Sequence, residues 1–185
     1  MIKYVVLGII LFVLPNINLQ SAGLEQRCAG SLIGCQIKDY SLLDTNEKVH
    51  RLIPASGRQA IIHFFNHEIP WKFPLFNCLN QAYAGLQARN IDFVFISTAS
   101  PLFLRELVQY YKPPFPVLHD MRQQVSLFCK AKIFEGPVQQ STLFLDDRGY
   151  VHKTVVSLDI NDHLAQILLY AFKQPVVVDT APSVY

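Results

Sequence analysis

Four cysteines are the residues of this chain best suited to chemistry, because a thiolate is both a nucleophile and a redox centre. Cys28 and Cys35 stand close together and predict a disulfide that closes a small loop, although Cys28 has two alternative partners in Cys78 and Cys129. Cys129 lies in an apolar stretch and is predicted to be a core residue. Cys78 fits either of two interpretations, a small buried side chain beside Leu79 or a reactive thiol.

Histidines and carboxylates offer a second kind of chemistry, the binding of a metal ion. The candidates are His63, His67, Glu68, His119 and Asp120. None of their spacings matches a zinc motif such as C-x-x-C or H-E-x-x-H, so no metal site and no cofactor are predicted. His63 alternates with apolar neighbours in a strand pattern, which favours a hydrogen-bonded and partly buried histidine.

The composition predicts one folded domain without an affinity for nucleic acid. The 185 residues are 51% hydrophobic and 16% charged, which excludes a disordered chain. There are 16 basic and 14 acidic residues, so the formal charge of +2 provides no basic surface for nucleic acid. Four cysteines are too few for a scaffold built on disulfides.

The N-terminus predicts a signal peptide. Lys3 precedes an apolar run over 4–14, which Pro15 ends. A membrane-spanning helix needs about 20 apolar residues, so this run is too short for one. Small residues at 21–23 provide a cleavage site, and residues 1–22 are therefore predicted to direct export to the periplasm or out of the cell. A buried N-terminal strand is the alternative.

Strand and helix patterns alternate through the rest of the chain. The predicted strands lie at 39–43, 48–52, 60–65, 91–97, 115–118, 142–146 and 150–156. The predicted helices run from Pro74 to about Asn90, over 102–111, over 122–130, and from an N-cap at Asp159 or Asn161. Buried parallel strands joined by helices predict an α/β fold with helices on both faces of one sheet.

The order and the amino-acid sequences of these segments resemble those of the thioredoxin superfamily. Within it, they resemble the peroxiredoxins and related redoxins of the alkyl hydroperoxide reductase and thiol-specific antioxidant group. The sequence motifs that carry the resemblance are DYSLLD at 39–44, AIIHFF at 60–65, FVFIS at 93–97, FPVLHD at 115–120 and TLFLDDRG at 142–149. The resemblance covers about residues 37–172. It implies a thioredoxin-like three-layer α/β/α sandwich with a mixed central sheet.

The residues that this resemblance assigns to catalysis are replaced. A peroxiredoxin needs a cysteine thiolate, a threonine that orients the peroxide and an arginine that lowers the pKa of the thiol. Counted from the strand over 60–65, Phe73 stands at the cysteine, Pro70 at the threonine and Gln140 at the arginine. The alignment therefore predicts that peroxidase chemistry of the usual kind is lost.

The thioredoxin pattern W-C-x-P-C leads to the same prediction. Trp71 and Pro74 match it, but Lys72 and Leu75 replace the two cysteines. Gln140 stands where this pattern has a cis-proline. Neither lysine nor leucine provides the electron pair of a thiolate, so thiol–disulfide exchange of the usual kind is also predicted to be absent.

The resemblance leaves two roles open for Cys78 and for the aromatic loop that precedes it. Cys78 follows Phe73 by five residues, the spacing of the resolving cysteine in one subgroup of single-chain peroxiredoxins. It is then either a relic or a residual reactive thiol. Trp71, Phe73 and Phe76 form either an apolar patch that contacts a partner or a filling for the space of the lost catalytic centre.

The sequence as a whole predicts an exported redoxin-like protein that acts as a binding or structural module for another protein or a peptide. The alternative is a divergent thiol-dependent antioxidant or disulfide oxidoreductase that uses Cys78, with Cys28 or Cys35 as its resolving partner. The predicted segments are a signal peptide over 1–22, an N-terminal segment over 23–36, a redoxin domain over 37–173 and a tail over 174–185. Dimers occur in the resembled group, and membrane contact is expected only through an uncleaved N-terminus.

Overall fold

The structure is a computed structural model that describes residues 31–53, 55, 57–65, 74–129, 131, 140–157 and 159–173. Its strands are β1 (Ser41–Asp44), β2 (Val49–Arg51), β3 (Gln59–Phe65), β4 (Ile91–Ser97), β5 (Val117–His119), β6 (Gln140–Leu145) and β7 (Val151–Ser157). Its helices are α1 (Pro74–Gln87), α2 (Pro101–Tyr111), α3 (Gln124–Phe128) and α4 (Ile160–Lys173). The strands and helices predicted within these ranges are confirmed, with ends that differ by a few residues.

The strands of the described part form one mixed sheet in the order β2-β1-β5-β4-β3-β6-β7. The central strands β3, β4 and β5 are parallel, and β1 and β6 join this centre in the antiparallel direction. The hairpin partners β2 and β7 form the two edges. Nearly every residue of β3 and β4 is buried, because helices cover both faces of the centre, and this explains why both strands are almost continuously apolar.

Two apolar clusters fill the spaces on the two faces of the sheet. One face is covered by α1, α2 and α4 through Phe76, Leu79, Leu86, Leu104, Leu107, Leu164, Ile167 and Ala171. The other face is covered by α3 and the segment before β1 through Leu32, Ile37, Val125 and Cys129. Helices therefore lie on both sides of a mixed sheet, and the predicted three-layer α/β/α architecture is confirmed.

Several chain segments meet at one edge of the sheet, which we call the carboxyl edge. The parallel strands β3, β4 and β5 end there with Phe65, Ser97 and His119. Since β6 runs antiparallel to β3, it begins at this edge with Gln140. The strand β7 reverses direction again and ends there, so α1, α2 and α4 all begin at the carboxyl edge. Ligands of open α/β sheets bind outside the carboxyl ends of the strands, so this edge is the natural place for a site.

The segment before β1 belongs to the folded core from Leu32 onwards. Leu32 and Ile37 are buried, and the Gly34 N–H donates to the carbonyl of Val151 at 2.7 Å. The Val151 N–H donates to the carbonyl of Cys35 at 2.9 Å, so the segment pairs with the start of β7. Residues 32–36, which the sequence placed in a segment before the domain, thus pack against the sheet.

Candidate functional site

The candidate site lies at the carboxyl edge between the end of β3, the start of α1 and the start of β6. Residues 66–73 and 132–139 lie outside the described residues. Pro70, Trp71 and Phe73, predicted from the sequence as site positions, fall in the first of these ranges, and their roles stay predictions. The described residues define the floor of the site.

Gln140 is the first residue of β6 and one of the predicted site positions. Its side chain is buried, and its Oε1 atom has no hydrogen-bond partner among the described residues. A buried acceptor without a partner costs free energy, because water has been removed without replacement. An amide is also neutral, so this position holds no positive charge that lowers the pKa of a nearby thiol.

Phe76, predicted either to join a partner-contacting aromatic patch or to fill space in the fold, lies in the core. It is fully buried, its ring lies 4.7 Å from that of Phe95, and it stacks on Tyr111 with a centroid distance of 4.9 Å. Phe115 also stacks with it, at 6.1 Å. Of the two predicted roles, a partner-contacting patch is therefore wrong for Phe76: the side chain is part of the core, because it belongs to the apolar stripe of α1 with Leu79 one turn later.

Cys78 is a free thiol on α1 and is half-buried. It packs against the apolar cluster under α1, α2 and α4. Gly85 follows Cys78 by seven residues, or about two helical turns, so both lie on the same side of α1. An added Cβ at Gly85 would stand 2.9 Å from the Phe172 ring of α4, which identifies this side as the one that faces α4.

Cys129 is confirmed as a core residue and is a poor nucleophile. Burial, with the nearby Asp120 carboxylate as a second cause, raises the pKa of the Cys129 thiol to about 12. Asp120 is itself buried and accepts from the Ser126 N–H at 2.7 Å and from the Ser126 hydroxyl at 2.8 Å. This arrangement holds α3 to the end of β5 and offers no reactive group.

Cys35 is buried and forms a disulfide. Cys28, the predicted partner, lies outside the described residues, so the pairing of Cys28 with Cys35 stays a prediction. Cys78 and Cys129, the alternative partners, both carry free thiols.

The metal candidates are spread over separate environments. The described residues contain no group of three His, Cys, Asp or Glu side chains that could hold a metal ion. His119 lines two open cavities of about 370 and 440 Å³ beside β1, and Asp120 is bonded to Ser126. His67 and Glu68 lie outside the described residues.

A buried chain of polar side chains, which the sequence did not reveal, lies beneath the site. The Thr142 Oγ1 atom lies 2.7 Å from His63 Nδ1 and 2.8 Å from His163 Nε2. All three side chains are fully buried, and the outer nitrogens, His63 Nε2 and His163 Nδ1, have no partner in the described part of the chain. Burial, helped by the neighbouring His163, lowers the pKa of His63 well below its usual range. Burial also lowers the pKa of His163 to about 4, against the opposing effect of Asp162.

These three residues come from β3, β6 and α4, and their spacing in the sequence carries no signal of contact. His63 was predicted to be partly buried and hydrogen-bonded. The hydrogen bond is present, but the ring is completely enclosed, and one of its nitrogens is unpaired within the described ranges. The one available signal was the pairing of the strands over 60–65 and 142–146, which places His63 opposite Thr142.

None of the helices in the described ranges is long and apolar enough to cross a membrane.

Comparison with solved structures identifies the fold. The chain is similar to a cysteine-to-serine mutant of PrxQ from Xylella fastidiosa, with a TM-score of 0.64, 14% identity, and coverage of 77% of this chain and 97% of that one. It is similar to peroxiredoxin Q from Xanthomonas campestris, with a TM-score of 0.62, 15% identity, and coverage of 72% and 89%. It is also similar to a putative thiol:disulfide interchange protein DsbE from Chlorobium tepidum, with a TM-score of 0.60, 19% identity, and coverage of 75% and 96%.

At these identities the similarity concerns the fold. It confirms the predicted thioredoxin fold and the resemblance to peroxiredoxin-like redoxins at that level. No family model matches the sequence. A search of curated proteins finds no significant match either.

Proposed function

We propose that this thioredoxin-fold chain is an exported module that binds an extended protein segment at its carboxyl edge and does not use standard thiol catalysis. The observation that carries the proposal is Gln140, a buried neutral amide at the position where the resemblance requires a cation. A thiolate in the site would therefore lack the positive charge that stabilises it. The same amide carries a buried acceptor that no donor of the described residues reaches.

The unpaired acceptor of Gln140 supports binding of a peptide. A backbone N–H is a donor that every residue except proline carries, so an extended segment that enters the site offers one regardless of its sequence. In the sequence, Trp71 and Phe73 stand between β3 and α1, and aromatic side chains are the usual anchors of protein interfaces. Phe76 takes no part in this surface, because it is in the core.

The state of the described cysteines also supports a role without catalysis. The thiol of Cys129 is enclosed and has a pKa of about 12, so almost none of it is thiolate at neutral pH. Cys78 is the one free thiol of the described residues that reaches the surface in part. Its exposure favours the second candidate function, a divergent thiol-dependent oxidoreductase. That function requires Cys78 to be redox-active.

Export belongs to the same proposal. It is supported by the short positive start and apolar run of the N-terminus and by the disulfide-bonded Cys35, since disulfides persist in oxidising compartments. Within this proposal residues 1–22 are removed and Cys28 pairs with Cys35. The mass of the protein recovered after export tests both points, because cleavage after residue 22 and a disulfide each change it by a known amount.

The single tryptophan of the chain makes the binding proposal testable without a label. Trp71 emission is recorded while a reduced, carboxymethylated, unfolded protein that lacks tryptophan is added. We expect a saturable shift in emission, which Gln140→Ala weakens by removing the acceptor. Gln166→Ala is the matched control, because that glutamine lies on an exposed face of α4 and donates to Asp162.

The proposal fails if Trp71 emission does not respond at any concentration of the unfolded protein. It also fails if Gln140→Ala and Gln166→Ala bind equally well. A response that requires Cys78, seen as its loss in Cys78→Ser, supports the oxidoreductase instead.

A further inference from the structure

His63, Thr142 and His163 form a hydrogen-bonded network, called here the histidine network, which links three elements in a part of the core that is closed to water. His63 lies in the middle of β3, Thr142 lies directly opposite it on β6, and His163 lies in the first turn of α4. The Thr142 hydroxyl bonds both rings and so joins α4 to the two strands. The Thr142 hydroxyl thus provides the polar link between the first turn of α4 and the floor of the candidate site, besides the apolar contacts of Ile160 and Leu164.

The number of hydrogens available on the three side chains fixes the protonation pattern of the histidine network. A neutral imidazole carries one N–H and one bare nitrogen, and a threonine hydroxyl donates one hydrogen and accepts others. When the Thr142 hydroxyl donates its hydrogen to the inner nitrogen of one ring, the other ring donates its N–H to the Thr142 oxygen. One outer nitrogen then carries a hydrogen and the other is bare, and both are enclosed without a partner among the described residues.

A proton added to the histidine network has no position at which both hydrogen bonds persist and the new charge is paired. On the bare outer nitrogen it creates a buried imidazolium whose N–H finds no acceptor in the described part of the chain. On the bare inner nitrogen it displaces the hydrogen of Thr142, and the bond to that ring must rearrange. A buried charge without a counter-charge is strongly disfavoured, so the proton is taken up only if a ring reaches water.

The groups around the two rings favour movement of His163 over movement of His63. His63 is enclosed between β4 and β6, and its ring lies 4.8 Å from the ring of Phe95. His163 directly follows two exposed residues of the first turn of α4, and the adjacent Asp162 carboxylate favours its charged form. The groups that act on the pair from the elements packed around it are Thr142 of β6, Phe95 of β4 and Asp162 of α4, besides the two rings themselves.

We propose that His63, Thr142 and His163 form an acid-sensitive latch, in which uptake of a proton releases the first turn of α4 from β6 and opens the floor of the carboxyl edge. Gln140 precedes Thr142 by two residues on the same face of β6, so the released turn lies directly beside the candidate site. The inference does not depend on what the site binds. It predicts a change in local structure with pH.

Hydrogen exchange of the full chain tests the latch. Protection factors of the backbone amides over 160–173, corrected for the intrinsic exchange rate at each pH, are measured between pH 7 and pH 4.5. We expect the opening equilibrium of the first turns of α4 to increase about tenfold per pH unit for each proton taken up below about pH 6. His163→Gln keeps a neutral nitrogen near the position of Nε2 and is expected to make the protection independent of pH.

His152→Gln is the matched control, because His152 also bonds α4, through its Nδ1 atom at 3.0 Å from the Tyr170 hydroxyl. That ring is half-buried, so a proton on it is hydrated and α4 is not released. The control is expected to keep the response of the wild type. Equal responses in the wild type and in His163→Gln, or a wild type without any response, would overturn the latch.

The ring signals of the wild-type histidines provide a test that survives any failure of a variant to fold. In nuclear magnetic resonance, His63 and His163 are expected to remain neutral until the pH at which α4 loses protection, and then to change together. Titration of His163 near the ordinary value of about 6.5, with α4 still protected, contradicts the proposal.

Discussion

His63 and Thr142 are separated by 79 positions in the sequence and face each other across β3 and β6, with 2.7 Å between the imidazole Nδ1 and the hydroxyl oxygen. Their contact joins β3 and β6 on the side of the sheet that carries α4. A polar pair in the middle of an apolar sheet is stable only while the imidazole is neutral and both groups are hydrogen-bonded. This relationship makes the stability of the fold depend on pH.

The free energy of unfolding is expected to fall as the pH drops below about 6.5. The folded state holds the pKa of His63 and of His163 below the usual value, to about 4 for His163, because both rings are buried. The unfolded chain therefore binds protons first, and the stability present above about pH 6.5 is lost as the pH falls towards about 4. Urea unfolding at pH 7 and pH 5 should differ by about 1–2 kcal/mol from His163 alone. Equal unfolding free energies at the two pH values contradict this assignment.

Thr142→Val is expected to destabilise the protein by about 1–3 kcal/mol, because it keeps the shape of the side chain and leaves both imidazoles without their shared partner. Thr154→Val is the control, since Thr154 lies on the edge strand β7 and is partly exposed. That change should alter stability by about 0.5 kcal/mol or less. Urea unfolding at pH 7 measures both variants, and similar losses in the two would show that the buried hydroxyl has no special role.

Cys78 and Cys129, the two free cysteines of the described residues, are expected to differ strongly in reactivity. With its pKa at about 12, the Cys129 thiol is ionised at pH 8 in only about one molecule in ten thousand, and it is enclosed. Iodoacetamide should leave Cys129 unmodified in the folded protein and modify it fully after denaturation, while the half-buried Cys78 reacts in the native state. Peptide mass mapping after a short exposure measures this. Rapid native labelling of Cys129 would show that the core around Asp120 is open.

Phe73→Cys alone is expected to leave the protein without efficient peroxidase activity. By the alignment with the resembled family, a thiol introduced there has the neutral Gln140 in place of the arginine, so its pKa is expected to stay near that of an ordinary cysteine. The double variant Phe73→Cys, Gln140→Arg should react with hydrogen peroxide about tenfold faster, because an adjacent guanidinium lowers a thiol pKa by about one unit or more. Stopped-flow rates with Phe73→Ser as the control decide the point. A fast reaction of the single variant would refute the role assigned to Gln140.

The sequence predicted the architecture well because the determining signals are local. The apolar runs of β3 and β4, the turn between β6 and β7, and the stripe of α1 each lie within a short stretch of the chain. Asn90, which was predicted to close α1, adopts a left-handed conformation with a φ of 57°, which asparagine tolerates better than most residues. Each of these features can be recognised from the short stretch of sequence that contains it.

The floor of the site was less predictable, because it depends on contacts between distant segments. The sequence left Phe76 open between a contact patch and an interior position, and its place in the first turn of α1 directs it towards Phe95. Thr142 gave no signal in an apolar strand, and His163 gave none in a helix. Their contact becomes visible only when the register of β3 against β6 is known.

The central claim is that the thioredoxin fold of this chain operates without a redox-active cysteine. The most direct measurement is mass spectrometry of the purified protein with differential alkylation before and after a brief hydrogen peroxide challenge. We predict that Cys35 remains in its disulfide, that Cys129 remains a protected thiol, and that Cys78 keeps the same oxidation state throughout. A rapid change at Cys78 that a thiol reductant reverses would contradict the claim and identify the protein as a divergent thiol-dependent oxidoreductase.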